Sequence, residues 1–135
     1  MKHWALDLIG KPWREGACGP DAFNCWGLVQ HVFLERLGIE MPQVDVTQAD
    51  TPENAAAIRR ASEVSGWRPS GDAAPKEDDI VLMMSPTGRH VGVMVRANGR
   101  LGLLHSLEGV GVCFQRLEDL PAHGFCRVEF WRRAC

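Results

Sequence analysis

The chain has 135 residues, 45% hydrophobic and 24% charged, which fits one soluble domain able to bury a core without disulfide staples. Its net charge of −2 gives no electrostatic reason to expect nucleic acid or an anionic membrane as a partner. The five cysteines, at positions 18, 25, 113, 126 and 135, cannot all pair and form no CxxC, so a reducing compartment with free thiols is the simplest reading.

The N-terminal run Trp4-Ala5-Leu6-Asp7-Leu8-Ile9 is too short and too interrupted for a signal-peptide core or a membrane span. It reads as a short amphipathic helix that buries Trp4 and Leu8, with Leu6 and Ile9 beside them, stopped by Gly10 and Pro12. A soluble cytoplasmic product is expected, and an extracellular substrate would require a carrier. Residues 11–23, with Gly16, Gly19 and Pro20, read as a loop. A helix then runs from about Asn24 to Leu37, with Asn24 as N-cap and Gly38 as a left-handed C-cap. Cys25, Leu28, Val29, Val32 and Phe33 share one face, and Trp26, Leu34 and Leu37 widen it. Thr51 as cap and Pro52 at the first helical position signal a second helix, ending near Ser65-Gly66. Residues 68–79 are polar, carry prolines and read as a loop.

From Ile80 onward the pattern becomes strands: 80–84, 90–96, 101–107, 110–117 and 125–131. Turn signals at Pro86-Thr87-Gly88, Asn98-Gly99 and Glu108-Gly109 make them antiparallel hairpins. Helices followed by a meander of about five strands make a single α+β domain over 1–135, with no repeat or internal boundary.

Cys25 carries the sharpest chemical signal. A thiol at a helix N-terminus, with an imidazole beside it, is favoured as thiolate, the nucleophilic form. An isolated cysteine is more often a small buried hydrophobe, so the histidines decide. Asn98-Gly99 suits a two-residue type I′ turn, which sets Ala97 opposite Arg100 and therefore Gly92 opposite His105. His90 shares the face of Gly92, making His90 and His105 diagonal neighbours with no side chain between them. His90 would take the thiol proton, and His105 would bond its far nitrogen and fix the tautomer. His3, His31 and His123 lack such a relationship and read as surface residues.

Phe23-Asn24-Cys25-Trp26-Gly27-Leu28-Val29, Asp79-Ile80-Val81-Leu82, Arg89-His90-Val91-Gly92-Val93-Met94-Val95 and Leu103-Leu104-His105-Ser106, in this order, resemble the NlpC/P60 peptidases. The loop Ile9-Gly10-Lys11-Pro12-Trp13 with Gly19-Pro20 is similar to versions in phage tail and prophage genes. The resemblance spans about residues 4–131 and is weakest over 42–75. It implies a papain-like fold, the cysteine helix packed on an antiparallel sheet. It further implies hydrolysis of peptidoglycan stem peptides, commonly at the bond from D-glutamate to a diamino acid. Cys25 becomes the nucleophile, His90 the base and His105 the third polar residue; possible partners are phage tail proteins. Three departures bear on substrate recognition. Asn24 stands where the family usually has aspartate, Trp26 where it has serine, and Trp13 where a tyrosine is common; this chain has no tyrosine. Trp13, Asn24 and Trp26 are accordingly the substrate-binding candidates.

Two other readings compete. One is a phage tail or tail-assembly part that keeps the fold without catalysis, suggested by those departures. The other is an amidase or acyltransferase using the same thiol–imidazole pair. No cofactor is implied. His123-Gly-Phe-Cys126 has an H-x-x-C spacing but lacks a second close pair, so no metal site is assigned. Cys18 lies seven positions before Cys25 and could pair with it under oxidation.

Overall fold

Asn24 begins the first helix as its side chain suggests. Its backbone is extended, and its Oδ1 accepts from the Gly27 N–H at 2.6 Å, satisfying one of the helix's unpaired donors. Helix α1 then spans Cys25–Leu37 and ends at Gly38, whose φ of 67° lets its N–H close onto the Leu34 and Phe33 carbonyls. The computed structural model describes residues 3–44, 52–86 and 88–133. Helix α2 spans Pro52–Val64. The expected Thr51 cap lies outside the described residues.

Six strands follow: β1 (Trp67–Pro69), β2 (Ile80–Ser85), β3 (Gly88–Ala97), β4 (Arg100–Leu107), β5 (Gly111–Gln115) and β6 (Cys126–Arg133). They form one antiparallel sheet in the order β1-β6-β2-β3-β4-β5. Helix α1 packs on β3 and β4, and α2 on β1 and β3. Leu28, Val29, Val32 and Phe33 of α1 are fully buried against Ile80, Val93 and Leu104, each worth roughly 1.5–3 kcal/mol. A smaller cluster of Val81, Met83, Met94, Leu103, Leu120 and Phe125 fills the other face. This is the papain-like α+β arrangement.

Two elements differ from expectation. The N-terminal segment is one 3₁₀ turn, Trp4–Asp7, capped by the His3 ring, which accepts from the Ala5 N–H. With three residues per turn, Ala5 and Leu8 line up inward, while Leu6 and Ile9 are 50% and 40% exposed. β1 takes in Arg68 and Pro69, the first two residues of the stretch that the sequence reads as loop. Its three residues include Pro69, which an edge strand tolerates because one side needs no N–H donor. Trp67 anchors it, stacked on Phe33 at 4.6 Å.

The loop before α1 is held down by backbone bonds. Phe23 donates to the Pro12 carbonyl and Asn24 to that of Ala17, at 3.0 and 2.8 Å. The Ser106 hydroxyl donates to the Phe23 carbonyl at 2.7 Å, tying the start of α1 to β4. Gly27 lets the loop approach: a Cβ there would collide with the Ala17 carbonyl oxygen.

Candidate active site

Cys25, the first residue of α1, is 9% exposed and lines a cavity of about 260 Å³ that also takes in Trp13, Asn24, His90 and Ser106. The N-terminal turn of α1 favours negative charge at this position. The cavity lies where the two apolar clusters meet. Cys25 belongs to the helix-side cluster. The imidazoles of His90 and His105 lean on Phe125 of the other, with ring centroids 6.0 and 5.4 Å away.

The hairpin expected at Asn98-Gly99 forms with its register intact. Ala97 faces Arg100 and Val93 faces Leu104, and both turn residues have positive φ. At Gly92 a Cβ would press on the Leu104 carbonyl oxygen and the His105 Cβ, so the missing side chain is what lets the rings meet. His90 Nε2 and His105 Nδ1 are 2.8 Å apart.

The far nitrogen of His105 sets the direction of this bond. Nε2 lies 2.6 Å from Gln115 Oε1, an amide oxygen that only accepts, so Nε2 carries the proton and donates. His105 Nδ1 therefore accepts, and His90 Nε2–H donates to it. The neutral His90 then has its lone pair on Nδ1. A row of three side chains thus leaves a basic nitrogen at one end.

Burial holds both rings neutral. It pushes His90 down from 6.5 to about 3, with the neighbouring His105 adding to the shift. Burial likewise lowers His105 to about 4, outweighing the hydrogen bond to Gln115, which acts to raise it. Cys113 lies directly across from His105, with Sγ 3.5 Å from Nε2. Burial raises its pKa, so it stays a thiol at neutral pH.

The NlpC/P60 family model matches residues 10–119. The chain belongs to the NlpC/P60 family. Among solved structures it is similar to the NlpC/p60 domain of the peptidoglycan hydrolase SagA, with a TM-score of 0.60 and 21% identity over 93% of this chain and 91% of that one. It is also similar to a Bacteroides fragilis protein named as a xylanase, with a TM-score of 0.51 and 14% identity over 95% and 98% of the two chains. These likenesses are of fold. No curated protein matches the sequence significantly.

This NlpC/P60 chain brings together most of the residues singled out in its sequence. Cys25, His90, Trp13 and Asn24 line the cavity, with His105 directly behind His90. Trp26 does not reach it, which corrects the expectation that it lines the cleft. It is fully buried, and its indole N–H donates to the Pro42 carbonyl at 2.9 Å. Being one residue past Cys25 on a helix turns it about 100° away, into the core. His3 and His31 are half-buried rather than at the surface: His3 bonds the Arg96 carbonyl and His31 packs edge-on against Phe23.

Gln115 was missed. It sits opposite Leu103, diagonal to His105 across the β4–β5 pair, within reach of a long side chain. The Arg127 position was missed as well. β6 carries an extra residue where it passes Met83, and Arg127 takes a φ of 52° there.

Proposed function

We propose that this chain is a cysteine peptidase that hydrolyses stem peptides of the bacterial cell wall. The observation that carries this reading is the directed row Gln115–His105–His90, ending at the cavity that holds Cys25. Family membership supports it, as does the fold shared with a peptidoglycan hydrolase domain.

In this reading Cys25 gives its proton to Nδ1 of His90, and Sγ attacks the scissile carbonyl carbon. The oxyanion is met by the Cys25 backbone N–H at the start of α1, with the indole N–H of Trp13 as candidate second donor. The C–N bond then breaks, and His90 returns the proton to the leaving amine. Water gives a proton to His90 and attacks the thioester, the C–S bond breaks and Cys25 regains its proton. His105, held by Gln115, keeps His90 in the tautomer that starts the cycle.

Asn24 shapes specificity. Its Oδ1 is engaged by the Gly27 N–H and it carries no charge, so it is a poor partner for a free amino terminus. N-acylated stem peptides should be cut as fast as those with a free amine, or faster; a strong preference for the free amine overturns this point.

The loop around Gly19-Pro20, similar to phage tail and prophage versions, supports delivery to the wall by a tail. A tail part without catalysis remains the competing reading, because Asn24 and Trp26 both serve structure. Wild-type protein and Cys25→Ala incubated with sacculi of several peptidoglycan types, followed by mass spectrometry, separate the two. Stem-peptide fragments from wild type alone support the peptidase and identify the bond. Identical output from both proteins favours the tail part.

A further inference from the structure

Besides the nucleophile and imidazole, the cavity is lined by three arginines and two glutamates: Arg59, Arg89, Arg127, Glu108 and Glu129. Two of these cancel, since Arg59 Nη1 lies 2.8 Å from Glu129 Oε1. Elsewhere Arg36, Arg116 and Arg132 are tied to carboxylates. Arg89 and Arg127 are exposed and, among the described residues, make no side-chain hydrogen bond or ion pair. Glu108, also exposed, is the remaining acid of the lining.

The sheet places these two arginines on either side of β2. Met84 pairs with Arg89 of β3 on one side and with Cys126 of β6 on the other. Leu82 pairs with Glu129, so Arg127 and Val128 together face the single Met83, as in a β-bulge. Arg127 adopts φ 52° in this bulge. A non-glycine residue pays roughly 1–2 kcal/mol there, which glycine would avoid. What arginine supplies in return is a cationic side chain on the lining of the cavity that also holds the proposed base His90.

We propose that Arg127 and Arg89 form a carboxylate-binding subsite that selects substrates carrying a free carboxylate near the scissile bond over their amidated counterparts. The planar guanidinium matches a carboxylate through two parallel N–H···O bonds, which a neutral carboxamide with one acceptor cannot reproduce. The inference rests on the peptidase reading for which bond is cut, but the binding it describes does not require turnover.

The test uses two peptides identical except for a free carboxylate or a carboxamide beside the scissile bond. Their kcat/KM values are compared for wild type, Arg127→Gly, Arg127→Lys and Arg89→Gln, and their affinities are measured with Cys25→Ala. Wild type should favour the carboxylate peptide by about tenfold, and the preference should shrink as salt is raised. Arg127→Gly should bring the ratio close to one, through KM, without lowering the melting temperature. Arg127→Lys should keep part of the preference. Equal handling of the two peptides by wild type overturns the proposal, as does an Arg127→Gly variant that slows both equally. If wild type cuts neither peptide, the affinities decide. Selective binding of the carboxylate form by Cys25→Ala retains the subsite while the peptidase reading falls. Binding of neither form, or of both alike, removes the subsite too.

Discussion

His90 on the floor of the cavity and His105 directly behind it are 9% and 0% exposed, and each donor has its acceptor within 2.8 Å. On the rim, Arg89 and Arg127 are exposed and, among the described residues, without side-chain partners. The two regions meet at Arg89 and His90, adjacent positions of β3, yet depend on different physics. Floor residues are desolvated, so their protonation and direction are set before anything binds. Rim charges sit in water, where partners are screened and exchangeable, and a guanidinium gains most when a ligand brings the carboxylate. Under the proposed reading, one region carries the reaction and the other selects its substrate.

The largest expected effect separates them at once. Cys25→Ala should lower cleavage of stem peptides by about 10⁴-fold or more, with the fold and the rim's ligand affinity kept, as circular dichroism and peptide titration would show. Residual turnover within tenfold of wild type would remove Cys25 from the chemistry. Gln115 is next. Gln115→Leu leaves His105 Nε2 without its acceptor, so the proton can move to Nδ1 and reverse the row. A fall in kcat of about tenfold to a hundredfold with little change in KM is expected. Gln115→Glu keeps an acceptor and should recover much of the rate, while its charge raises the His105 pKa and moves the acid limb of the pH profile upward. Equal behaviour of the two variants would show that Gln115 only fills space.

How far this division could be read from the sequence depends on how local its causes are. The Asn24 cap, the Gly38 stop and the Asn98-Gly99 turn each act within four residues, and each sets a chemical group in place. The turn alone fixes the histidine pair. The β4–β5 turn is different. A two-residue loop at Glu108-Gly109 would set Val112 opposite His105 and send Gln115 to the opposite face. The structure uses Glu108, Gly109 and Val110, so Leu107 pairs with Gly111 and every side chain of β5 changes face. One residue of loop thus hides the end of the relay. Arg127 is hidden similarly, because Cys126-Arg127-Val128-Glu129 carries no glycine to announce its bulge. Trp26 was ambiguous because α1 is apolar on most sides, and only packing decides which tryptophan faces the cavity.

Acid should affect the floor before it unfolds the rest. An imidazole whose folded pKa lies below its unfolded value stabilises the protein fully above pH 6.5, and this contribution is lost as pH falls toward the folded value. With His105 lowered to about 4, it would forfeit about 2 kcal/mol between pH 7 and pH 5. Urea unfolding at both pH values should show this loss in wild type and a smaller one in His105→Gln. The same neutrality puts the acid limb of kcat/KM well below pH 6.5, since His90 stays unprotonated. A limb at 6.5 or above would mean that the rings are hydrated and that the floor resembles the rim.

The smallest effect concerns the residue that joins structure to specificity. Asn24→Ala removes the Oδ1 acceptor of the Gly27 N–H and should cost about 1 kcal/mol of stability. Asn24→Asp keeps the cap and adds a negative charge at the helix N-terminus, so stability should hold or rise slightly. That same charge now lines the cavity beside Cys25. It should shift preference toward stem peptides with a free amino terminus, at unchanged preference for the carboxylate. If Asn24→Asp instead alters the carboxylate preference, the nucleophile's end and the arginine rim form one continuous electrostatic site, and the division drawn between floor and rim fails there.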